Sequence, residues 1–530
     1  MGFIWMIGWF KQALFDLHQL PYKTHLLNFP YGFNLYMTEI APFQILIALP
    51  FTLVKGPVFG YNISILSTFV LAGLCMYYWA YSKTQSRKTA LIIGTAYAIC
   101  PFHLAHVLSG HLNISAIQWF PLYFMGFFNI LENKAFSRKN VLLAGIGLGL
   151  ISLSSIYFAY MTLVLSAFLL IYSVLINRKT IWKERTLWKQ LLWAVLISVP
   201  FLIVSAGPYV YIHIASGMQN RELAEVSFYS ASPTDFLLPF TLHPFWGKWV
   251  GTHFPRNIWT EATLYLGLPI IGFFLYWVFE KKKQTGFFRL IVSGAILAFI
   301  LALGTNFTWL EKAVTISTPA RLTHLINQDS FPIYLPGYVL FRFIPFYGRM
   351  RVWMRYGIFV MTFVCIGAGF GINKVLHKNP PKKQFVIFVF TLGVILLDFW
   401  TKPLPLVPVQ PRKVDEWLAG QPYGGLVQMP FDQSYNKLNM YYTLTNQKGL
   451  IGYIKEVPSY RYFRLQADLK NFPDKTSIDA IKAEKITYVL VDESKYSVNE
   501  NFVSTCRSNG LDLIRSIDSQ AVFVMRNSQY

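Results

Sequence analysis

Residues 57–81 read PVFGYNISILSTFVLAGLCMYYWAY, twenty-five residues without a single Asp, Glu, Lys or Arg. About 20 such residues are enough for a helix to cross the hydrocarbon core of a bilayer, so this stretch is a membrane span. Similar apolar runs follow near 90–107, 114–131, 141–153, 157–176, 191–213, 261–279, 287–304, 353–376 and 384–400. The run at 141–153 is short and could merge with its neighbour around Ser152, Ser154 and Ser155. The composition agrees: 54% of the 530 residues are hydrophobic and only 14% are charged, whereas soluble domains carry about 25% charged residues. The expected fold class is an all-α polytopic membrane domain of about ten transmembrane helices.

Charge sets the orientation. A net charge of +22 would suggest nucleic acid in a soluble protein. Here the basic residues gather in short loops: Lys83, Arg87 and Lys88; Lys134, Arg138 and Lys139; Arg178, Lys179, Lys183, Arg185 and Lys189; Lys281, Lys282 and Lys283; Lys378, Lys382 and Lys383. Loops nearly free of Lys and Arg, such as 108–113, alternate with them. The positive-inside rule puts the basic loops in the cytoplasm. Residues 1–56, the connections 214–260 and 305–352, and everything after 400 then lie outside. No nucleic-acid partner is expected; membrane lipids are.

Residues 1–56 form the first external segment. Within 1–20, the apolar run is too short to span, and it reads as an interfacial helix with Trp5 and Trp9 at headgroup depth. Residues 40–54, broken by Pro42 and Pro50, read as a second interfacial or half-inserted helix. Between them lies Asn28–Glu39, NFPYGFNLYMTE, a loop ending in the lone carboxylate Glu39. An external segment with no span before it is unusual. The expectation is that Met1 is internal to the natural reading frame and that a first transmembrane helix precedes it.

Beyond residue 400 the pattern changes. Pro403, Pro405, Pro408 and Pro411 make a stiff linker over 401–411. Residues 412–530 alternate helix and strand signals: VDEWLAG as a helix, GGLVQMPF as a strand, SIDAIKAEKITYVLVDE as helix into strand, FVSTCRSNGLDLIRSI as a helix, and AVFVMR as a strand. That is a small α/β domain, placed outside the cell membrane. The division expected is 1–56, 57–400, 401–411 and 412–530.

Several motifs carry candidate chemistry. In PFHLAHVLSGHLN, His103 and His106 stand one helical turn apart, but no carboxylate is near in sequence, so no metal ligands are assigned. These side chains are better read as lining an aqueous cavity, with His111 and Asn113 as the ligand contacts. Asp235 sits in SPTDFLLPFTLHPFWG, and Glu261 opens a span in WTEATLYLGLP. A carboxylate at the top of a membrane helix is costly unless solvated or paired, which makes both functional candidates. A helix-start acid favoured by the helix dipole is the plainer alternative. Arg342, Arg349, Arg351 and Arg355 crowd FRFIPFYGRMRVWMRYG on the outer side, against the usual charge bias. Guanidinium groups match phosphate oxygens, so an anionic ligand or lipid headgroups would explain them. Gly145 and Gly149, like Gly367 and Gly371, have the spacing of closely packed membrane helices rather than of a dinucleotide fingerprint. Cys75, Cys100, Cys365 and Cys506 have no metal or disulfide spacing. No motif demands a cofactor; a divalent cation remains open.

The order of an external loop with interfacial helices, followed by residues 57–113, resembles the GT-C superfamily of polytopic glycosyltransferases. The resemblance is to the bacterial dolichyl-phosphate-mannose-transferase-like and RgtA-like membrane proteins. TEIAPFQILIALP stands where those proteins close the first external loop with a Pro-containing helix. WTEATLYLGLP and RMRVWMRYG are similar to a bacterial subgroup with a C-terminal extracytoplasmic domain. The resemblance implies transfer of a sugar from a polyprenyl-phosphate donor to a cell-envelope acceptor on the outer face of a bacterial plasma membrane. It implies a carboxylate acting as base and basic residues holding the donor phosphate. Glu39, Asp235 and Glu261 are the candidate base or acceptor residues, Arg349, Arg351 and Arg355 the phosphate contacts, and His111 and Asn113 the acceptor contacts. The family's carboxylate stands close behind the first transmembrane helix, which would fall before Met1, so the chain as given could be inactive. A lipid-linked-sugar flippase and a non-catalytic envelope assembly protein are the alternatives.

Overall fold

Gly56 decides how the first apolar segments are arranged. The long helix Pro42–Thr84 is interrupted at Lys55 and Gly56, and Gly56 has φ +80°. A β-carbon disfavours that backbone region, so the chain breaks there into a piece before the break and the span quoted above. Pro42 occupies the first turn, where its missing N–H costs nothing. The computed structural model describes residues 1–530 except 133–134, 177–183, 216–219, 281–284, 319–328, 404–405, 407, 452–459 and 527–530. Lys134, Arg178, Lys179, Lys183, Lys281, Lys282, Lys283 and Pro405 therefore lie outside the described residues.

Five helices among the described residues are long and apolar enough to cross a membrane: Pro42–Thr84, Arg87–Leu108, Ile156–Ile176, Arg185–Ile212 and Trp353–His377. Leu268–Val278 and Gly286–Ala302 are shorter apolar helices. The chain is thus an integral membrane protein of helical type. The run at 141–153 does not merge with its neighbour: Arg138–Ser154 and Ile156–Ile176 are separate helices, broken at an extended Ser155. The expected span at 114–131 starts later, at Phe120. The span expected from residue 261 starts at Leu268, with Pro269 in its first turn and Gly267 at φ +87° before it. Glu261 accordingly stands on a separate short turn, Trp259–Ala262.

The chain divides into two units. One comprises Ala41–Gln44 and Ile65–Pro405. Its centre is aromatic. Phe120, Phe124 and Phe128 recur every four residues along the helix Phe120–Glu132, so they share one face. Phe120 meets Phe359 with ring centroids 4.7 Å apart, and Phe124 meets Phe363 at 4.8 Å. The glycine pairs act as their spacing suggests. A β-carbon on Gly145 would lie 2.8 Å from the Ala194 carbonyl oxygen, and one on Gly149 would lie 2.6 Å from the Phe201 ring. Gly367 and Gly371 give the same close approach to Phe274 and to the Phe273 backbone. Small residues let membrane helices pack this tightly.

The other unit joins the two ends of the chain: Met1–Ile40, Ile45–Ser64 and Leu406–Tyr530. Its five-stranded sheet has the order Leu511–Ile517, Gln520–Met525, Ile486–Asp492, Gly425–Met429, Gly449–Leu450. The pairs made by Gly425–Met429 are parallel and the others antiparallel. The segment read as one helix over 502–517 is a helix Glu500–Ser508 and then a strand. Gly510, at φ +98°, turns the chain between them. The helices Gln433–Asn446 and Tyr460–Asp468 had no forecast.

The first forty residues fold into this unit together with residues 406–530. The helix Gly2–Lys11 does not place its tryptophans at headgroup depth: Trp5 and Trp9 are fully buried. The Trp5 indole N–H donates to Thr443 Oγ1 at 2.9 Å, and the Trp9 N–H to the Pro21 carbonyl at 2.7 Å. Buried indoles need such partners. Leu27 bridges Leu450 in parallel, extending the sheet edge. Arg461 donates to the Phe29 carbonyl at 2.7 Å and lies over the Tyr31 ring. The Phe29 ring sits on Gly425 and Gly449, where a β-carbon would come within 2.5 Å of it. Overpacking of this kind costs about 1–3 kcal/mol. Gly449→Ala is expected to lower the thermal unfolding midpoint of the purified protein; an unchanged midpoint would refute the tight seat for Phe29.

Candidate functional site

The helical unit brings together three segments far apart in sequence. His106 is on the helix Pro101–Leu108, and His111 is on the loop that follows. Glu261 is on the turn Trp259–Ala262, and Arg355 is on the turn Trp353–Tyr356 that leads into the helix Gly357–His377. The loop and the Glu261 turn are joined by Ser109 Oγ and Thr260 Oγ1 at 2.7 Å.

Arg355 grips the Glu261 carboxylate with two donors. Its Nε donates to Oε2 at 3.0 Å and its Nη2 to Oε1. Both side chains are almost completely buried, 11% and 9% exposed, which matters because a buried charge must be paired. The guanidinium also lies over the Tyr157 ring, 4.9 Å from its centroid. Burial alone would push the Glu261 carboxyl up, but Arg355, with help from His106, outweighs it and pulls the group down to about 2. His106 Nε2 faces the same carboxylate at 3.7 Å. Its Nδ1 lies 2.9 Å from His111 Nδ1. Asn113 is buried on the same loop.

The other expected residues fall into place differently. His103 is not part of this cluster. Its ring nitrogens meet Thr68 Oγ1 at 2.8 Å and the Ala98 carbonyl at 2.7 Å, and its ring stacks on Phe69. Asp235 closes a capping box with Ser232 and receives Arg256 Nη1 at 2.7 Å. Arg256 also reaches Glu311 at 3.4 Å. Burial pushes the Asp235 carboxyl up to about 6, with Arg256 pulling against it. Glu39 belongs to the other unit, half-buried in the loop before Pro42. Arg351 lies over the Tyr229 ring at 4.8 Å, and Arg349 over Phe346 at 5.1 Å. Arg349 Nη1 is buried, and among the described residues it has no hydrogen-bond partner.

A protein-family model, described as "Domain of unknown function (DUF6311)", matches residues 6–330, more than half of the chain. The chain belongs to the DUF6311 family. No curated protein matches it. Among solved structures, this DUF6311 chain is similar to the arabinofuranosyltransferase AftD from Mycobacteria, with TM-score 0.54 and 12% identity, over 98% of this chain and 39% of that one. It is also similar to the oligosaccharyltransferase AglB from Archaeoglobus fulgidus, solved with an inhibitory peptide and a dolichol-phosphate. There the TM-score is 0.44 and the identity 13%, over 93% of this chain and 65% of that one. For ArnT from Cupriavidus metallidurans, bound to undecaprenyl phosphate, the values are 0.48 and 10%, over 98% and 93%. The likeness to AftD shows the GT-C fold. The chain spans less than two thirds of the length of the AftD and AglB chains.

Arg256, Glu311 and Tyr157 were not singled out in the sequence. Arg256 carried the same signal as the other arginines, a cation in a long connection assigned to the outside.

Proposed function

We propose that this protein is a membrane glycosyltransferase that takes a sugar from a polyprenyl-phosphate donor and transfers it to a cell-envelope acceptor on the extracytoplasmic face. The GT-C fold supports the class. The observation that carries the reading is the buried Nη1 of Arg349, which has no hydrogen-bond partner among the described residues, since a desolvated guanidinium calls for an anion. Ten spans, cytoplasmic basic loops and an extracytoplasmic C-terminal domain in a bacterial plasma membrane are part of this reading.

In the proposed reaction an acceptor hydroxyl oxygen attacks the anomeric carbon of the donor sugar. The bond from that carbon to the phosphate oxygen breaks, and its electrons leave on the lipid phosphate. The hydroxyl proton passes to a carboxylate. Arg349 and Arg351 stabilise the leaving phosphate as its charge grows. His111 and Asn113 contact the acceptor. Asp235, in the same unit as these arginines, is the candidate for the base. Glu261, with its carboxyl near 2 and both oxygens on Arg355, is a poor proton acceptor near neutral pH. It acts instead as a positioning residue for Arg355.

The test is transfer of radiolabel from a polyprenyl-phosphate-linked sugar to envelope acceptors, with the protein in membranes. Label in the acceptor fraction supports the reading. No transfer, with labelled lipid moved across vesicles instead, overturns it in favour of a flippase.

A further inference from the structure

We propose that His106, His111 and Glu261 form a binding site for one divalent transition-metal ion of the zinc class. One ring nitrogen from each histidine and one carboxylate oxygen of Glu261 all lie within 4.8 Å of one another. Ligand atoms bound at about 2.0–2.2 Å around one zinc ion fall within such a span. Two imidazoles and a carboxylate are a ligand set that suits zinc and its neighbours rather than magnesium or calcium.

Hydrogen bonding leaves the cluster incomplete. The two Nδ1 atoms that face each other at 2.9 Å can share only one proton. His106 is fully buried, yet its Nε2 has no hydrogen-bond partner among the described residues. That nitrogen is aimed at Glu261 Oε2, 3.7 Å away. Buried polar atoms are nearly always partnered, so an orphan pointing into a cluster of donor atoms asks for an explanation. A cation supplies one. Arg355, which donates to both Glu261 oxygens, then fixes the carboxylate as outer partners of metal ligands commonly do. Three protein ligands leave a fourth position open, as in zinc sites that bind water or substrate. Because His111 is only half-buried, that position is reachable.

The inference concerns the same constellation as the transferase reading but does not depend on it. The test is isothermal titration of the purified, chelator-stripped full chain with zinc or cobalt(II), with cobalt absorption as a second readout. The expected result is one ion per chain, with an absorption spectrum for low-coordinate cobalt. His111→Ala and Glu261→Gln should each weaken binding at least about tenfold. His253→Ala, which changes an exposed histidine of the same unit, should leave it unchanged. No stoichiometric binding by the native chain overturns the site, as does an unchanged affinity in His111→Ala. If Glu261→Gln fails to fold, His111→Ala decides, since that side chain stands on a partly exposed loop. The titration needs no sugar donor, so its failure leaves the transferase reading standing, and absence of transfer leaves the titration standing.

Discussion

Arg355→Ala is expected to destabilise the helical unit by about 3–5 kcal/mol, the usual cost of removing one partner from a buried ion pair. The loss should depend on pH. In the native protein the Glu261 carboxyl is held at about 2, below its ordinary value of 4.5. Its contribution to stability is therefore present above pH 4.5 and is lost progressively as pH falls from 4.5 through about 2, so native stability is flat in this respect between pH 5 and 8. Without Arg355, burial dominates and the folded-state value rises above 4.5. The folded variant then binds a proton more tightly than the unfolded chain, and its deficit grows as pH rises above 4.5. Thermal unfolding at pH 5 and pH 7.5 reads this directly, with the gap from native wider at pH 7.5. A double change, Arg355→Met with Glu261→Leu, should recover much of the loss, because apolar side chains of similar size need no counter-charge. An equal gap at both pH values would mean that Glu261 is not ionised and paired as the geometry requires.

Arg349→Ala is expected to separate binding from stability. Its Nη1 has no protein partner among the described residues, so little hydrogen bonding is lost from the folded chain. If that atom holds the donor phosphate, removing it deletes a charge-assisted hydrogen bond of about 1.5–3 kcal/mol, roughly tenfold to over a hundredfold in affinity. Titration of native and variant protein with a polyprenyl phosphate measures it. Arg351→Ala should weaken the lipid as well, while Arg342→Ala, on a side chain that bonds and stacks on Tyr338, should not. Equal affinity for native and Arg349→Ala protein would remove the phosphate role.

Much of the helical unit was legible because its physics is local. A run of some 20 uncharged residues, a Pro at a helix start and a Gly where two helices touch each leave a mark within one window of sequence. What escaped was everything set by distant partners. Trp5 resembles an interfacial anchor until Thr443 is seen to accept a hydrogen bond from its indole N–H. His106 looked metal-free because its carboxylate arrives from Glu261, on the far side of several helices in sequence. Glu261 was expected at the top of a span, yet Gly267 and Pro269 delay the helix and leave it on a turn within reach of Arg355. The end of the helix at Ser508 was marked by Asn509 and Gly510, ordinary stop signals that the apolar residues beyond them obscured.

The union of residues 1–40 with residues 406–530 sets an order on biogenesis. A ribosome makes residues 1–40 before the long stretch 65–405 and residues 406–530 after it. Throughout that interval the Trp5 indole, the Phe29 ring and the sheet-edge residue Leu27 have none of their distant partners. Sequence separations above 400 residues, as between Trp5 and Thr443 or Phe29 and Arg461, are slow to close. A chain stopped before Leu406 would present an unsheathed aromatic surface to chaperones and proteases. Emergence of residues 406–530 is thus the event that lets the helix Gly2–Lys11 bury Trp5 against its partner Thr443.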